Sequence, residues 1–103
     1  VPPFSRVLHP AIDPEQWAES LLTEYDAFAD ACEAQPDAAW DHPERLPPRL
    51  RVIDPYGFEA PSEFFAVASE SFFVDPRGLH DHWPTLYGVL AQFYRQNPVE
   101  RCE

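Results

Sequence analysis

Two glutamates stand out because they lie inside one of the most apolar stretches of the chain, Pro61–Val74. This stretch predicts a helix, and at about 100° per residue Glu63 and Glu70 fall on one side of it. The same side carries Val67 and Val74. A helix that is apolar nearly all round is normally buried, and a buried carboxylate requires a hydrogen-bond donor, a cation or a metal ion. The pattern therefore predicts a binding partner for each glutamate.

The partners of the two glutamates are open at this level. Glu63 is near the start of the helix, where it can bond to free backbone N–H groups or act as a metal ligand or catalytic carboxylate. Glu70 lies two turns further on, where it can pair with an arginine or accept a hydrogen bond that orients a metal ligand. The candidate arginines are Arg49, Arg51 and Arg95.

A tyrosine, Tyr56, precedes Glu63 by seven positions. A tyrosine in such a loop usually anchors it, but its hydroxyl can also donate to an oxyanion that develops beside a metal ion. His80 and His82 are two positions apart, which is the wrong spacing for two ligands on one helical face, so we expect them at the surface. The chain has no HExxH, CxxC or GxSxG motif, and its three glycines are too few for a phosphate-binding loop.

The composition excludes several classes of partner. The chain has 103 residues and a formal net charge of −11, whereas nucleic acids and anionic membranes attract basic surfaces. No apolar run approaches the roughly 20 residues of a membrane span. The two cysteines could pair, but 70 positions apart and without a further framework they are typical of reduced thiols. We therefore expect a cytoplasmic protein with Cys32 in the core and Cys102 exposed.

Two helices are predicted to flank a proline-rich loop. Asp13 followed by Pro14 predicts the start of a helix that runs to about Ala34, with apolar residues at spacings of three and four. Prolines make residues 35–55 irregular, with residues 50–53 either extended or forming one short strand. Trp40 is expected to anchor this loop to the core.

The end of the chain predicts two further helices. Asp75 and Pro76 start a short helix through Leu79, and the last helix runs from Pro84 to about Gln96. Residues 1–12 read as an extended segment. We therefore expect residues 1–103 to form a single, mainly α domain with three main helices, a short one and a proline-rich central loop.

At this point the sequence resembles a known family, the Mlc titration factor A family. The resemblance is dense from Asp54 to Pro98 and rests on these residues: Asp54-x-Tyr56, Pro61-x-Glu63-Phe64-Phe65-Ala66-Val67-x-Ser69-Glu70-x-Phe72-Phe73, Pro76, Trp83-Pro84-x-Leu86-Tyr87 and Phe93-Tyr94-Arg95-Gln96-x-Pro98. A thinner similarity covers Val1-Pro2-Pro3-Phe4 and the helix around Trp17. The two acids inside so apolar a helix make the match specific.

The resemblance implies the helical C-terminal lobe of a zincin-like, gluzincin-type zinc metallopeptidase. In that family a HExxH helix supplies two histidine ligands and a general base, and a glutamate from a later helix is the third zinc ligand. By motif that glutamate corresponds to Glu63, and a tyrosine that faces the substrate oxyanion corresponds to Tyr56. Glu70 would then support the site by orienting a ligand. The implied partners are a peptide or protein substrate and a transcriptional repressor of the Mlc type.

The chain departs from the family pattern because it has no HExxH. We therefore expect a C-terminal portion of a longer zinc enzyme that, by itself, neither binds zinc tightly nor cleaves peptides. Removal of the metal helix should expose apolar surface near Val67 and Val74, which predicts self-association. The alternative is a stand-alone acidic helical module that sequesters a transcriptional regulator.

Overall fold

The computed structural model describes residues 13–101, and this part of the chain is mainly α-helical and contains no β-strand. Its four α-helices are α1 (Pro14–Glu33), α2 (Pro61–Val74), α3 (Pro76–His82) and α4 (Pro84–Tyr94). Short 3-10 helices span Asp37–Asp41, Pro43–Arg45, Pro48–Leu50, Pro55–Phe58 and Pro98–Arg101. The expected mainly α fold is confirmed, whereas the predictions for residues 1–12 and Cys102 lie outside the described residues.

The helix starts follow from local signals. The Asp13 side chain accepts a hydrogen bond from the backbone N–H of Glu15 at 3.1 Å, and Pro14 occupies the first helical position. Asp75 likewise accepts from the N–H of Gly78 at 3.1 Å at the start of α3. Both caps satisfy backbone donors that a helix leaves free at its first turn.

Two helix ends differ from the predictions. Helix α3 extends to His82 rather than Leu79, and the backbone N–H of Trp83 still donates to Leu79 at 2.7 Å. Helix α4 ends at Tyr94 rather than about Gln96, because Arg95 adopts a left-handed conformation with φ 56°. A left-handed residue directly after the last turn is a common way to end a helix.

The core lies between α1, α2 and α4. Helix α1 contributes the stripe that its spacing predicts, with Trp17, Leu21, Phe28 and Cys32 all buried. The buried residues of α2 include Phe64, Ala68 and Phe72, and those of α4 include Leu86 and Leu90. The indole N–H of Trp17 donates to the backbone oxygen of Val89 at 2.8 Å, which joins α1 to α4.

The proline-rich segment packs on the core instead of forming a strand. Neither alternative for residues 50–53 is right. None of them is in a strand, Leu50 is the buried end of the 3-10 helix Pro48–Leu50, and Arg51 has a helical backbone conformation rather than an extended one. The hydroxyl of Ser71 donates to the oxygen of Val52 at 2.6 Å, and the indole of Trp83 donates to the oxygen of Arg49 at 2.7 Å. Trp40 packs against the core, as predicted.

One carboxylate, Glu24 of α1, lies at the start of α4. Burial raises the pKa of this carboxyl above 4.5, and the backbone N–H of Leu86 and the charge of Arg49 only partly offset that effect. The folded chain therefore binds this proton more tightly than the unfolded chain does. The resulting stabilisation is complete below pH 4.5 and is lost as the pH rises through the folded-state pKa.

We expect Glu24→Gln to have a higher free energy of unfolding than the unmodified chain at pH 7, that is, to be more stable. The amide carries no charge to desolvate, and its oxygen can still accept from Leu86. The advantage should shrink as the pH falls toward 4.5, where Glu24 itself becomes neutral. Urea unfolding at pH 7 and pH 5 measures this difference in the free energy of unfolding. The control is Glu19→Gln, on the exposed face of α1. A Glu24→Gln chain that is less stable at pH 7 contradicts the prediction.

Candidate functional site

The predicted site tyrosine lies in the 3-10 helix Pro55–Phe58, which we call the Tyr56 turn. The side chain of Asp54 accepts from the backbone N–H of Tyr56 at 2.9 Å, and the N–H of Gly57 donates to the oxygen of Asp54 at 3.0 Å. At the other end, the hydroxyl of Tyr25 donates to the oxygen of Phe58 at 2.8 Å. The backbone of the turn is therefore held from both sides.

Gly57 brings the Tyr56 turn against α2. A Cβ atom at this position would lie 2.8 Å from Cγ2 of Val67 and 3.2 Å from the Cα atom of Phe64. Such distances leave no room for a side chain without a shift of the helix or the turn. Sequence reasoning passed over Gly57, although a glycine directly after the candidate tyrosine, in a chain with three glycines, was the available signal.

Tyr56 points its ring outward. The residue is 56% exposed, and its hydroxyl makes no hydrogen bond to any residue in the range 13–101. The hydroxyl of Tyr25, in contrast, is used to hold the turn. Anchoring is thus the role of Tyr25, and the hydroxyl of Tyr56 is left available to donate to another molecule.

Glu63 is half-buried in the first turn of α2. Among the described residues its carboxylate has neither a hydrogen-bond donor nor an ion-pair partner, so it does not cap the helix. Glu63 directly precedes Phe64 and lies one helical turn before Val67, the two residues that contact Gly57. The structure therefore brings Glu63 and the Tyr56 turn to the same end of α2.

Glu70 is exposed, which differs from the burial that an all-round apolar helix predicts. It lies on a groove of about 350 Å³, whose described lining is Arg51, Val52, Asp54, Val67, Glu70, Ser71, Val74 and Asp75. Although Arg51 shares this groove, Glu70 forms no ion pair with a described arginine. Only one face of α2 is buried, and the other exposes Phe73 and Val74.

The described residues do not form a complete metal site. Within residues 13–101, no three histidine, cysteine, aspartate or glutamate side chains converge as metal ligands would. His80 and His82 are both exposed, as their spacing predicts. A tetrahedral zinc site needs three protein ligands and an open position, so residues 13–101 do not complete one, and the role of Glu63 as a single ligand stays a prediction.

Among residues 13–101, no helix combines the length and the apolar character needed to cross a membrane.

Comparisons with known proteins agree with the resemblance. The chain is 36% identical over 80 residues to Mlc titration factor A of Edwardsiella ictaluri, which covers 78% of this chain and 31% of that protein. It is 47% identical over 51 residues to Mlc titration factor A of Pectobacterium atrosepticum, covering 50% of this chain and 19% of the relative. The Uncharacterized protein slr2042 of Synechocystis sp. is 33% identical over 90 residues, which are 87% of this chain and 28% of that protein.

The chain therefore spans less than a third of the length of these relatives. No solved structure matches it. The family model that matches is described as glucose-regulated metallo-peptidase M90, and the match covers residues 2–95. Because this match includes nearly the whole chain, the protein belongs to the glucose-regulated metallo-peptidase M90 family.

Proposed function

We propose that this chain contributes one zinc ligand, Glu63, and a transition-state hydrogen-bond donor, Tyr56, to a zinc-dependent peptidase. One observation carries the proposal. In a chain of a metallo-peptidase family, Glu63 is half-buried at the end of α2 where Gly57 packs, and its carboxylate reaches the surface without a partner among the described residues. The same turn presents an exposed tyrosine hydroxyl.

The chemistry divides between the metal and the side chains. Bound zinc would supply a Lewis acid and lower the pKa of a water molecule. Glu63 would hold the metal, and the hydroxyl of Tyr56 would donate to the oxygen of the scissile carbonyl as negative charge develops on it. Glu70, exposed two turns after Glu63, would accept a hydrogen bond from a ligand of the metal and fix its orientation.

Among residues 13–101, no side chains complete the ligand set, and the sequence has no HExxH motif to provide the other ligands and a general base. The relatives are more than three times longer than the segments they share with it, so a longer polypeptide can supply these groups. One carboxylate does not bind zinc with useful affinity. We propose that the isolated 103-residue chain neither retains zinc nor hydrolyses peptides.

Zinc content tests the role of Glu63. We expect the longer protein to retain one zinc ion per chain after dialysis, and Glu63→Gln to lose at least about tenfold in zinc affinity. Elemental analysis of dialysed samples measures the zinc content per chain. The matched control is Glu59→Gln, a change in an exposed glutamate at the end of the Tyr56 turn. Full zinc retention by Glu63→Gln would remove the basis of the proposal.

The open face of α2 has a structural consequence for the isolated chain. Val74 is 78% exposed and shares the groove with Val67. We propose that a longer polypeptide covers this face, and that copies of the isolated chain cover it by self-association. Sedimentation should show dimers whose fraction rises with concentration, and Val74→Glu should shift the chain toward monomer. A monomer at every concentration contradicts this.

A regulator is a further proposed partner. The printed name of the relatives refers to Mlc. We propose that the longer protein binds a repressor of the Mlc type in the cytoplasm, in keeping with the free thiol of Cys32. Co-purification of the longer protein with a purified Mlc-type repressor tests this proposal, and its failure would leave the zinc experiment unaffected.

A further inference from the structure

A cavity of about 370 Å³ lies beside the Tyr56 turn, and none of its described lining residues lines the Glu70 groove. It is an open cavity bordered by the end of α1, the 3-10 helix Asp37–Asp41 and the turn itself. The described residues that line it are Cys32, Glu33, Gln35, Asp37, Trp40, Pro55 and Phe58. Its lining thus combines aromatic rings with carboxylates, and none of these side chains takes part in the site proposed above.

The indole N–H of Trp40 differs from those of the other two tryptophans. The indole N–H groups of Trp17 and Trp83 donate to backbone oxygens of Val89 and Arg49. The indole of Trp40 donates to no residue among 13–101, although the side chain is half-buried against the core. The indole N–H therefore reaches the surface, where tryptophan rings with one apolar and one polar end are enriched in interfaces.

The wall of this cavity is negatively charged. Glu33 and Asp37 are exposed, and neither forms an ion pair with a described residue. Burial, and then the charge of Glu33, raise the pKa of the Cys32 thiol to about 11, so the thiol stays neutral at physiological pH. Two unpaired carboxylates beside an aromatic ring form a complementary environment for a cation.

The chain already contains one example of the pairing that such a cavity favours. The guanidinium carbon of Arg49 lies 4.1 Å from the ring centroid of Trp83. A planar guanidinium stacks on an indole and also offers several N–H donors to carboxylates, which an ammonium group does less well. We propose that the Trp40 cavity binds the arginine side chain of a peptide or protein partner, with its guanidinium on Trp40 and paired with Glu33 and Asp37.

This proposal does not depend on the peptidase chemistry. Pro55 and Phe58 line the cavity and flank Tyr56, so an arginine bound there would lie next to the turn that carries the proposed donor. Binding can nevertheless be measured on the 103-residue chain without zinc. Failure of the zinc experiment would therefore leave this inference standing, and the reverse also holds.

Nuclear magnetic resonance titration of the chain tests the proposal. The probe is the peptide acetyl-Ala-Ala-Arg-Ala-Ala-amide, and the comparison peptide has citrulline, an uncharged isostere, in place of arginine. We expect shifts that concentrate at the indole N–H of Trp40 and the backbone of residues 32–37. We expect the citrulline peptide to bind about tenfold more weakly, the size of effect that loss of a cation contact produces.

Two variants and one control decide the outcome. Glu33→Gln combined with Asp37→Asn, both at exposed positions, should weaken arginine binding about tenfold, and so should Trp40→Leu. Glu19→Gln combined with Asp26→Asn removes the same charge from exposed positions of α1 outside the cavity and should leave binding unchanged. Equal binding of citrulline, equal losses in the control, or shifts spread over the acidic surface would each overturn the proposal.

Discussion

Tyr56→Phe in the longer protein is expected to lower kcat for peptide hydrolysis about 100-fold while zinc content stays unchanged. Removal of one donor to a developing oxyanion costs about 10²–10³ in kcat. The fold itself does not use this hydroxyl, because Tyr56 is 56% exposed and no residue among 13–101 accepts from it. The loss should therefore appear in catalysis and leave the free energy of unfolding nearly unchanged. Steady-state kinetics, elemental analysis and urea unfolding measure the three quantities.

Tyr25→Phe is the matched control for this experiment. Its hydroxyl donates a hydrogen bond of 2.8 Å to the backbone oxygen of Phe58, and this bond holds the Tyr56 turn. Loss of this bond should reduce the free energy of unfolding by about 1 kcal/mol and change kcat much less than Tyr56→Phe does. If the two variants lower kcat equally, rigidity of the turn explains the result and the donor role of Tyr56 is wrong.

The helices of this chain were predictable where their signals are local. Asp13 with Pro14 and Asp75 with Pro76 cap helices through neighbouring residues, so α1, α2 and the start of α3 agree with the sequence within a residue or two. The apolar stripe of α1 was equally clear. The end of α4 lies two residues before the predicted one, because Arg95 takes the left-handed conformation that glycine or asparagine usually adopts after a helix.

The orientation of α2 could not be predicted, because the helix is apolar on nearly every side and its pattern does not distinguish a buried face. Packing determines which face of α2 is buried. Phe64 and Phe72 face α1 and α4, and Phe73 and Val74 remain exposed. In a family whose members are much longer, this outcome makes physical sense, since an all-round apolar helix is expected where both faces have partners.

The candidate site was predictable in part. The seven-residue spacing and the family resemblance indicated Tyr56 and Glu63, but the approach of the Tyr56 turn to α2 depends on Gly57, which packs on a helix later in the chain. The Trp40 cavity was missed because Cys32, Trp40 and Phe58 are brought together only by tertiary packing. The periodicity of a sequence indicates which residues share a face of one helix or strand. It does not indicate which residues from different elements meet, and such a cavity is formed by several elements.

Phe64→Ala should destabilise the isolated chain by about 3–5 kcal/mol, the usual cost of removing a fully buried phenylalanine. Phe64 is 0% exposed, and its ring centroid lies 5.3 Å from that of Phe28 and 5.7 Å from that of Tyr25. It also forms part of the surface on which Gly57 packs. Because small domains are stable by only about 5–15 kcal/mol, a large fraction of this variant should be unfolded in moderate urea.

Phe73→Ala makes the same substitution at an exposed position of α2. Comparing the two variants separates the stability lost through burial from any effect of helix propensity. Phe73 is 48% exposed and contacts the rings of Phe72 and Tyr94 from the open side of α2. We expect it to cost about 1 kcal/mol, since only half of its surface is removed from water. Urea unfolding at low protein concentration compares the two variants. Equal losses would contradict the assignment of the core. A loss for Phe73→Ala that grows with protein concentration would instead show that a second copy covers this face.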